Sequence, residues 1–409
     1  MKLSKLAESL ADPATLRLNA TAARLKAEGE PVIHLGGGEP ESPAPPAAVQ
    51  AARELLERGD VKYTPTPGIP LLRQTVASYV ESEFGRPTRQ AEVLITAGAK
   101  PAIYAALVAV LDPGDEVVFP APFWVSYPEM VRLAGGVPVP VASPEGSHEP
   151  RLADFEATLT SRTRLVILNS PNNPSGAVYS EAFVAGVVDL CERRGLFLIA
   201  DDIYRRLTFD GLTAPSAVRH AKDHGDEGKI ILIDGVSKMF GMTGFRIGWA
   251  VASRRIIEVM GNVQGQTNSC ASSLGQVATL AALRDGKGYV EDLQRDLQGR
   301  RDLAVRELAA IPGVKLVPPR GTFYCLPDFR AYGADSNALS AFLLEKTRVV
   351  TVPGADFGRE GHLRISYCGP AAGVEEGIRR IRWALDPSTP RELTFGGAVH
   401  VRDWDPPGA

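Results

Sequence analysis

Residues 230–251 read Ile-Ile-Leu-Ile-Asp-Gly-Val-Ser-Lys-Met-Phe-Gly-Met-Thr-Gly-Phe-Arg-Ile-Gly-Trp-Ala-Val. The apolar runs at the two ends, Ile230–Asp234 and Ile247–Val251, have the length and branching of buried strands. Between them stands Lys238, beside Ser237 and eight residues before Arg246, among glycines that permit tight turns. A lysine alone is ordinarily a solvated surface charge. One placed between two buried strands reads instead as a site. An amine held there against an aldehyde, with a hydroxyl and a guanidinium gripping a nearby phosphate, is the chemistry these residue types suit.

Further runs of the same kind lie on the N-terminal side: Glu116–Phe119, Leu165–Asn169 and Leu196–Ala200. From about residue 46 they alternate with helical stretches, which predicts an α/β fold with a mostly parallel sheet covered by helices on both faces. Residues 14–30 carry apolar positions at helical spacing, and PVIHLGGGEPESPAPP (31–46) is a short strand entering a Gly- and Pro-rich loop. A long polar helix near 286–310 breaks the rhythm. The strand-like segments Val314–Val317, Thr322–Leu326 and His362–Ser366 and a helix at 371–385 then predict a smaller α+β domain. With 409 residues the chain exceeds what one hydrophobic core usually serves. The expected division is a large domain over 46–285, a small domain from 1–45 with 286–386, and a Pro- and Gly-rich tail over 387–409, read as loosely attached.

Apolar residues make up 44% of the chain and charged residues 23%, with a net charge of −3. No basic face calls for nucleic acid. Glu8 and Asp12 interrupt any signal-like stretch, and the longest apolar run, Ala102–Leu111, is about half of a membrane span. Cys191, Cys270, Cys325 and Cys368 lie far apart, which reads as reduced thiols in a cytoplasmic protein. His220 and His224 are spaced for a metal but lack a third ligand, so no metal is expected. No Gly-x-Gly-x-x-Gly follows a strand, which leaves a dinucleotide site without support.

Four other places carry chemistry. Asn169-Ser170-Pro171-Asn172-Asn173-Pro174 follows the run LVIL, and an amide presented at such a turn can donate a hydrogen bond to a ligand oxygen. Asp201 ends the run LFLIA, and a carboxylate at the end of a buried strand needs a cationic partner. Thr96-Ala97-Gly98-Ala99-Lys100-Pro101 opens an apolar helix whose first N–H groups and dipole make an anion site. Arg364 lies on the apolar strand His362–Ser366, where a planar guanidinium suits a carboxylate.

Taken together, Ser237-Lys238-Met239-Phe240-Gly241-Met242-Thr243-Gly244-Phe245-Arg246-Ile247-Gly248 resembles the signature of the class I/II aminotransferases, the aspartate-aminotransferase-like family of fold-type-I pyridoxal-phosphate (PLP) enzymes. The other motifs fall in that family's order over about residues 10–385. The resemblance implies that Lys238 carries PLP as a Schiff base, and that Ser237, Arg246 and the backbone of Ala99 and Lys100 bind its phosphate. It further implies that Trp124 stacks on the ring, that Asn173 and Tyr204 hydrogen-bond its phenolate oxygen, and that Asp201 pairs with its ring nitrogen. Gly38, Trp124, Asn173 and Arg364 would meet the substrate, Arg364 through the α-carboxylate. Tyr63 would reach the phosphate of a neighbouring subunit's cofactor, implying a homodimer with shared active sites.

The implied reaction is ping-pong transfer of an amino group from an L-amino acid, aspartate or another dicarboxylate first, to a 2-oxo acid such as 2-oxoglutarate. Lys100 reads equally as a group that pairs with a distal substrate carboxylate or as a solvated charge at a helix start. Thr15 matches dicarboxylate-using relatives, whereas Pro101 and Pro13 stand where those relatives have glutamine and serine. Aromatic-, alanine- or prephenate-type transfer and a PLP lyase are the alternatives on the same scaffold. A PLP-binding regulator would need a nucleic-acid-binding module, and no basic helix-turn-helix segment is evident before residue 10 or after residue 385.

Overall fold

A computed structural model describes residues 3–9, 14–222 and 225–407. Its strands in chain order are β1 (Ile33–His34), β2 (Val93–Thr96), β3 (Glu116–Ala121), β4 (Val137–Ala142), β5 (Thr163–Asn169), β6 (Phe197–Asp201) and β7 (Ile230–Gly235). There follow β8 (Gly248–Val251), β9 (Tyr324–Cys325), β10 (Val349–Val350), β11 (Val352–Pro353), β12 (Leu363–Ser366), β13 (Glu392–Phe395) and β14 (Ala398–Val401). Seven of them form one sheet in the order β2-β8-β7-β6-β5-β3-β4. Neighbours run parallel except at β8, which is antiparallel to both β2 and β7.

The strand sequences explain why both faces of this sheet are covered. Successive side chains point to opposite faces. On β5, Leu165 and Ile167 join one apolar core while Val166 and Leu168 join another. Ile199 and Ile231 fall on the first side, Leu198 and Leu232 on the second, and all four are buried. Such strands have no polar face to offer water, so helices must pack on each side. Truncating one of these leucines to alanine costs roughly 2–5 kcal/mol by the usual cavity penalty.

A separate core lies beside this sheet. The helix Lys287–Ala309 contributes Leu293, Leu297, Ala304 and Leu308, and the helix Ala371–Leu385 contributes Val374, Ile378 and Ile381, each set at helical spacing. Between them run β9, β11 and β12 as a small antiparallel sheet. β1 pairs in parallel with β10 through two residue pairs, Ile33 with Val349 and His34 with Val350. The N-terminal segment is thereby stitched to the C-terminal part of the chain.

Two sequence expectations fail here. Val314–Val317 forms no strand; only Lys315 bridges to Asp328. The tail is not loose. β13 and β14 make a hairpin across Gly396-Gly397, both at positive φ, the geometry a two-residue turn demands. Phe395 is buried in the neighbouring core. The Arg402 guanidinium, also buried, donates to the carbonyls of Trp383 (2.6 Å), Asp386 (2.6 Å), Pro387 (3.0 Å) and Thr389 (3.0 Å). Each of these carbonyls lies at or just beyond the end of the helix Ala371–Leu385, where orphan acceptors collect.

Candidate active site

The carboxyl ends of the parallel strands gather at one place, where ligands of open α/β sheets bind. β5 ends at Asn169 and β6 at Asp201, which are register partners. Lys238 and Ser237 follow β7, and Phe123 and Trp124 follow β3. Asn169, Asp201, Ser237, Lys238 and Trp124 all line one cavity of about 560 Å³. Short loops after long strands place these groups, so their positions follow from the sheet.

The Lys238 amine donates to the Gly38 carbonyl at 2.7 Å. Burial pushes its pKa down to about 8, so a neutral, nucleophilic amine is within reach at ordinary pH. Asp201 is 3% exposed and shifts the opposite way, up to about 6, again because burial disfavours charge. Two hydrogen bonds oppose that rise: Tyr127 donates its hydroxyl at 2.5 Å, and the Ile203 N–H donates at 3.4 Å. The Asn169 amide donates to the Asp201 carbonyl at 2.9 Å and fixes the strand end. A buried carboxylate with one hydroxyl and one long backbone contact is still short of a cation.

Arg246 sits in the left-handed region (φ 55), an uncommon conformation for a residue with a Cβ and one that collects at ligand sites. Its Nη1 donates to the Thr243 carbonyl at 2.9 Å and its Nη2 reaches the Ala97 carbonyl at 3.4 Å. The guanidinium thereby lies against the start of the helix Ala99–Val110. Gly98 precedes that helix at φ 109, and a Cβ there would stand 2.7 Å from Arg246 Nη2. Only glycine lets the helix start and the guanidinium come this close. Ser237 is buried beside them.

Across the cavity Arg364 is 3% exposed on β12. Its Nη1 donates to Asn173 Oδ1 at 3.1 Å and its Nη2 to the Gly36 carbonyl at 3.0 Å, while its Nε finds no partner among the described residues. The guanidinium lies 4.4 Å from the Tyr324 ring and 5.0 Å from that of Phe357. With its oxygen taken by Arg364, Asn173 turns its amide donor elsewhere. Lys100 holds its ammonium 4.9 Å from the centre of the Trp124 ring, and desolvation together with Arg246 pulls its pKa down.

Every proposed site residue except Tyr63 lines this one cavity: Gly38, Ala99, Lys100, Trp124, Asn173, Asp201, Tyr204, Ser237, Lys238, Arg246 and Arg364. Tyr63 is 90% exposed and stands outside it. Pro13, His224 and the side chain of Thr15 lie outside the described residues. Among the described residues no group of three or more His, Cys, Asp and Glu could hold a metal. Sequence reasoning did not single out Tyr127, Tyr324 or His34, all of which line the cavity. Tyr127 was legible only as the next aromatic after Trp124. Tyr324 and His34 reach the site by tertiary packing alone.

These geometries have counterparts. The model of the aminotransferase class I and II family matches residues 30–381. A probable aspartate/prephenate aminotransferase of Aquifex aeolicus is 39% identical over 91% of this chain and 95% of its own. The aspartate aminotransferase of Geobacillus stearothermophilus is 36% identical over 93% and 98%. The structure of the Thermus thermophilus aspartate aminotransferase with maleate superimposes with a TM-score of 0.89 at 35% identity, covering 93% of this chain and 99% of that one.

Proposed function

This chain belongs to the class I and II aminotransferases, and from that premise we propose that its cavity holds pyridoxal 5′-phosphate and moves the amino group of an L-amino acid, aspartate first, to a 2-oxo acid such as 2-oxoglutarate. The observation that carries this reading is the pairing of Lys238 and Asp201 on one cavity, with pKa values displaced in opposite directions, to about 8 and about 6.

The residues fit that cofactor. Lys238 offers an amine for its aldehyde. Asp201 lacks the cation that a protonated ring nitrogen would be, and such a cation would draw its pKa back down. Arg246, Ser237 and the N–H groups of Ala99 and Lys100 surround a place for a phosphate. Trp124 offers a ring face, and Asn173 and Tyr204 a donor each. When bound, pyridoxal phosphate supplies an aldehyde and a ring that accepts the electron pair left at the substrate's Cα.

The chain's own groups do the rest. Arg364 binds the α-carboxylate, directed by Asn173 and the Gly36 carbonyl. Lys238 Nζ would take the Cα proton of the bound amino acid and hand it on to the carbon of the cofactor that carried the aldehyde. Lys100, beside Trp124 at the cavity mouth, meets a distal carboxylate; the printed names of the relatives, aspartate and aspartate/prephenate aminotransferase, support a dicarboxylate donor. Tyr63, 90% exposed, fits a residue covered by a second copy whose cofactor phosphate it reaches. Four unpaired thiols fit a reducing compartment such as the cytoplasm.

The test is to add pyridoxal phosphate to purified protein, record the imine band at roughly 400–430 nm, and incubate with L-aspartate and 2-oxoglutarate. Glutamate and oxaloacetate should form. A colourless protein would refute the cofactor, and ammonia released without an acceptor would make the chain a lyase.

A further inference from the structure

The wall opposite the sheet carries a histidine that the reaction above does not use. His34 ends β1 and lines the cavity beside Arg364. Its Nδ1 lies 3.2 Å from the backbone nitrogen of Gly36, two residues on. An amide N–H can only donate, so Nδ1 is the bare nitrogen and the ring proton sits on Nε2. Nε2 is enclosed and meets no partner among the described residues. The Gly36 carbonyl, in the next peptide unit across its Cα, accepts from Arg364 Nη2 at 3.0 Å. One residue, then, separates the imidazole from the guanidinium that faces the substrate.

This stretch needs such a clasp. Gly36, Gly37 and Gly38 run in succession, and glycine leaves the backbone freest where no ladder holds it. β1 stops at His34; beyond it Leu35 still donates to the Val350 carbonyl at 2.9 Å, and its own carbonyl accepts from Ser366 at 2.7 Å. The Gly36 N–H then has the His34 ring as its acceptor. Packing wedges the turn further. A Cβ at Gly36 would lie 3.0 Å from Val352 Cγ2 and 3.2 Å from His34 Cε1. On the other side the guanidinium packs over the Tyr324 and Phe357 rings, 4.4 and 5.0 Å from their centres. Its aim is set by two acceptors, Asn173 Oδ1 and the Gly36 carbonyl.

We propose that His34 is a positioning residue for the amino-acid substrate: its Nδ1 accepts from the Gly36 N–H and so fixes the backbone of that residue, whose carbonyl, in the following peptide unit, aims Arg364 at the α-carboxylate. This rests on the reading of Arg364 as the carboxylate-binding group. The clasp requires a neutral ring. Burial lowers the His34 pKa, a contact with its own backbone carbonyl offsets part of that fall, and the charged groups whose fields reach it, Lys26 on the helix Ala14–Ala27 and Arg364 on β12, are both cations that oppose protonation. β10 and β11 present Val350 and Val352 to Gly36 beside it. The clasp is therefore intact at neutral pH. Acid puts a proton on Nδ1, sets N–H against N–H, and releases Gly36.

The experiment compares the holoenzyme with its His34→Leu and His34→Asn variants, using L-aspartate and 2-oxoglutarate across a pH series. An asparagine oxygen accepts from the N–H two residues on, as in an Asx-turn, and does not titrate. His34→Leu should raise KM for L-aspartate by about five-fold, the worth of one hydrogen bond, with kcat within about two-fold. His34→Asn should restore KM at neutral pH and lose the rise in KM that the parent shows on acidification. Equal shifts in both variants would reduce His34 to a packing role and overturn the proposal. So would unchanged KM in both while Arg364→Lys raises it. Should Arg364→Lys leave KM unchanged, the reading of Arg364 itself fails, a distinct outcome that removes the proposal's premise. If His34→Leu does not fold, the pH series of His34→Asn decides alone, and a retained acid limb refutes the clasp.

Discussion

The two walls of the cavity are built in opposite ways. On the sheet wall, Asn169, Asp201 and Lys238 stand at or just past the ends of strands five to seven residues long, locked in register and buried on both faces. On the facing wall, Gly36, His34 and Arg364 belong to strands of two to four residues and to a run of glycines. Hydrogen bonds between side chains and single peptides hold that wall together. The first wall carries preorganised charge, where a lost group removes chemistry. The second carries adjustable aim, where a lost group weakens binding. Substitutions should therefore divide into kcat effects on the sheet wall and KM effects opposite it.

The harshest trial of this contrast is Lys238→Ala, for which turnover should drop by at least about 10⁴-fold together with loss of the imine absorbance. Measurable single-turnover activity in that variant would undo the sheet-wall assignment. Asp201→Asn comes next, with kcat down roughly 10²–10³-fold in steady-state assays. The same variant carries a stability signature. A carboxyl raised to about 6 binds its proton more tightly in the folded chain than in the unfolded one. The cofactor-free protein is thus favoured in acid and loses stability as pH rises toward that value, and the penalty stays constant above it. Removing the charge should stabilise cofactor-free protein by about 3 kcal/mol at neutral pH, read by urea denaturation, with no gain in acid.

On the opposite wall, Arg364→Lys should raise KM for L-aspartate roughly 30-fold, since a point charge replaces a fork of donors, while kcat changes much less. A variant that lost kcat and kept KM would erase the distinction between the walls. The mildest change sharpens it. Tyr127→Phe removes the 2.5 Å hydrogen bond that restrains Asp201, so that carboxyl's pKa should rise further. The pH at which cofactor-free protein loses stability should then move upward in urea denaturation, while kcat/KM of the holoenzyme falls about three- to five-fold.

The same division governs what could be read before the fold was seen. Ser237–Gly248, Asn169–Gly176 and Ala200–Tyr204 are contiguous because each is one strand end with its loop, so they could be read as motifs, and the family they resemble supplied the role of each group. Tyr324 enters from a two-residue strand 120 positions beyond Tyr204, whose hydroxyl lies 3.5 Å from its own. His34 resembles any histidine on a short apolar strand until the Gly36 turn folds back on it. The tail looked like an appendage because its prolines and glycines dominate its composition. Phe395-Gly396-Gly397-Ala398 was nonetheless a hairpin signal, and what binds the hairpin, Arg402 on the carbonyls ending the helix Ala371–Leu385, has no local signature.

By itself the sequence determined which strands are buried on both faces, which loops carry a lysine, an aspartate and a glycine-led helix start, and hence the family and the sheet wall. Those features arise from side-chain periodicity and backbone chemistry within a few residues of one another. The tertiary structure alone decided how the second wall closes: which glycine carbonyl meets Arg364, which ring meets that glycine's N–H, and which tyrosine restrains Asp201. Those contacts join residues up to 328 positions apart, and a hydrogen bond depends on distance and angle in space, which neighbouring residues in the chain do not encode.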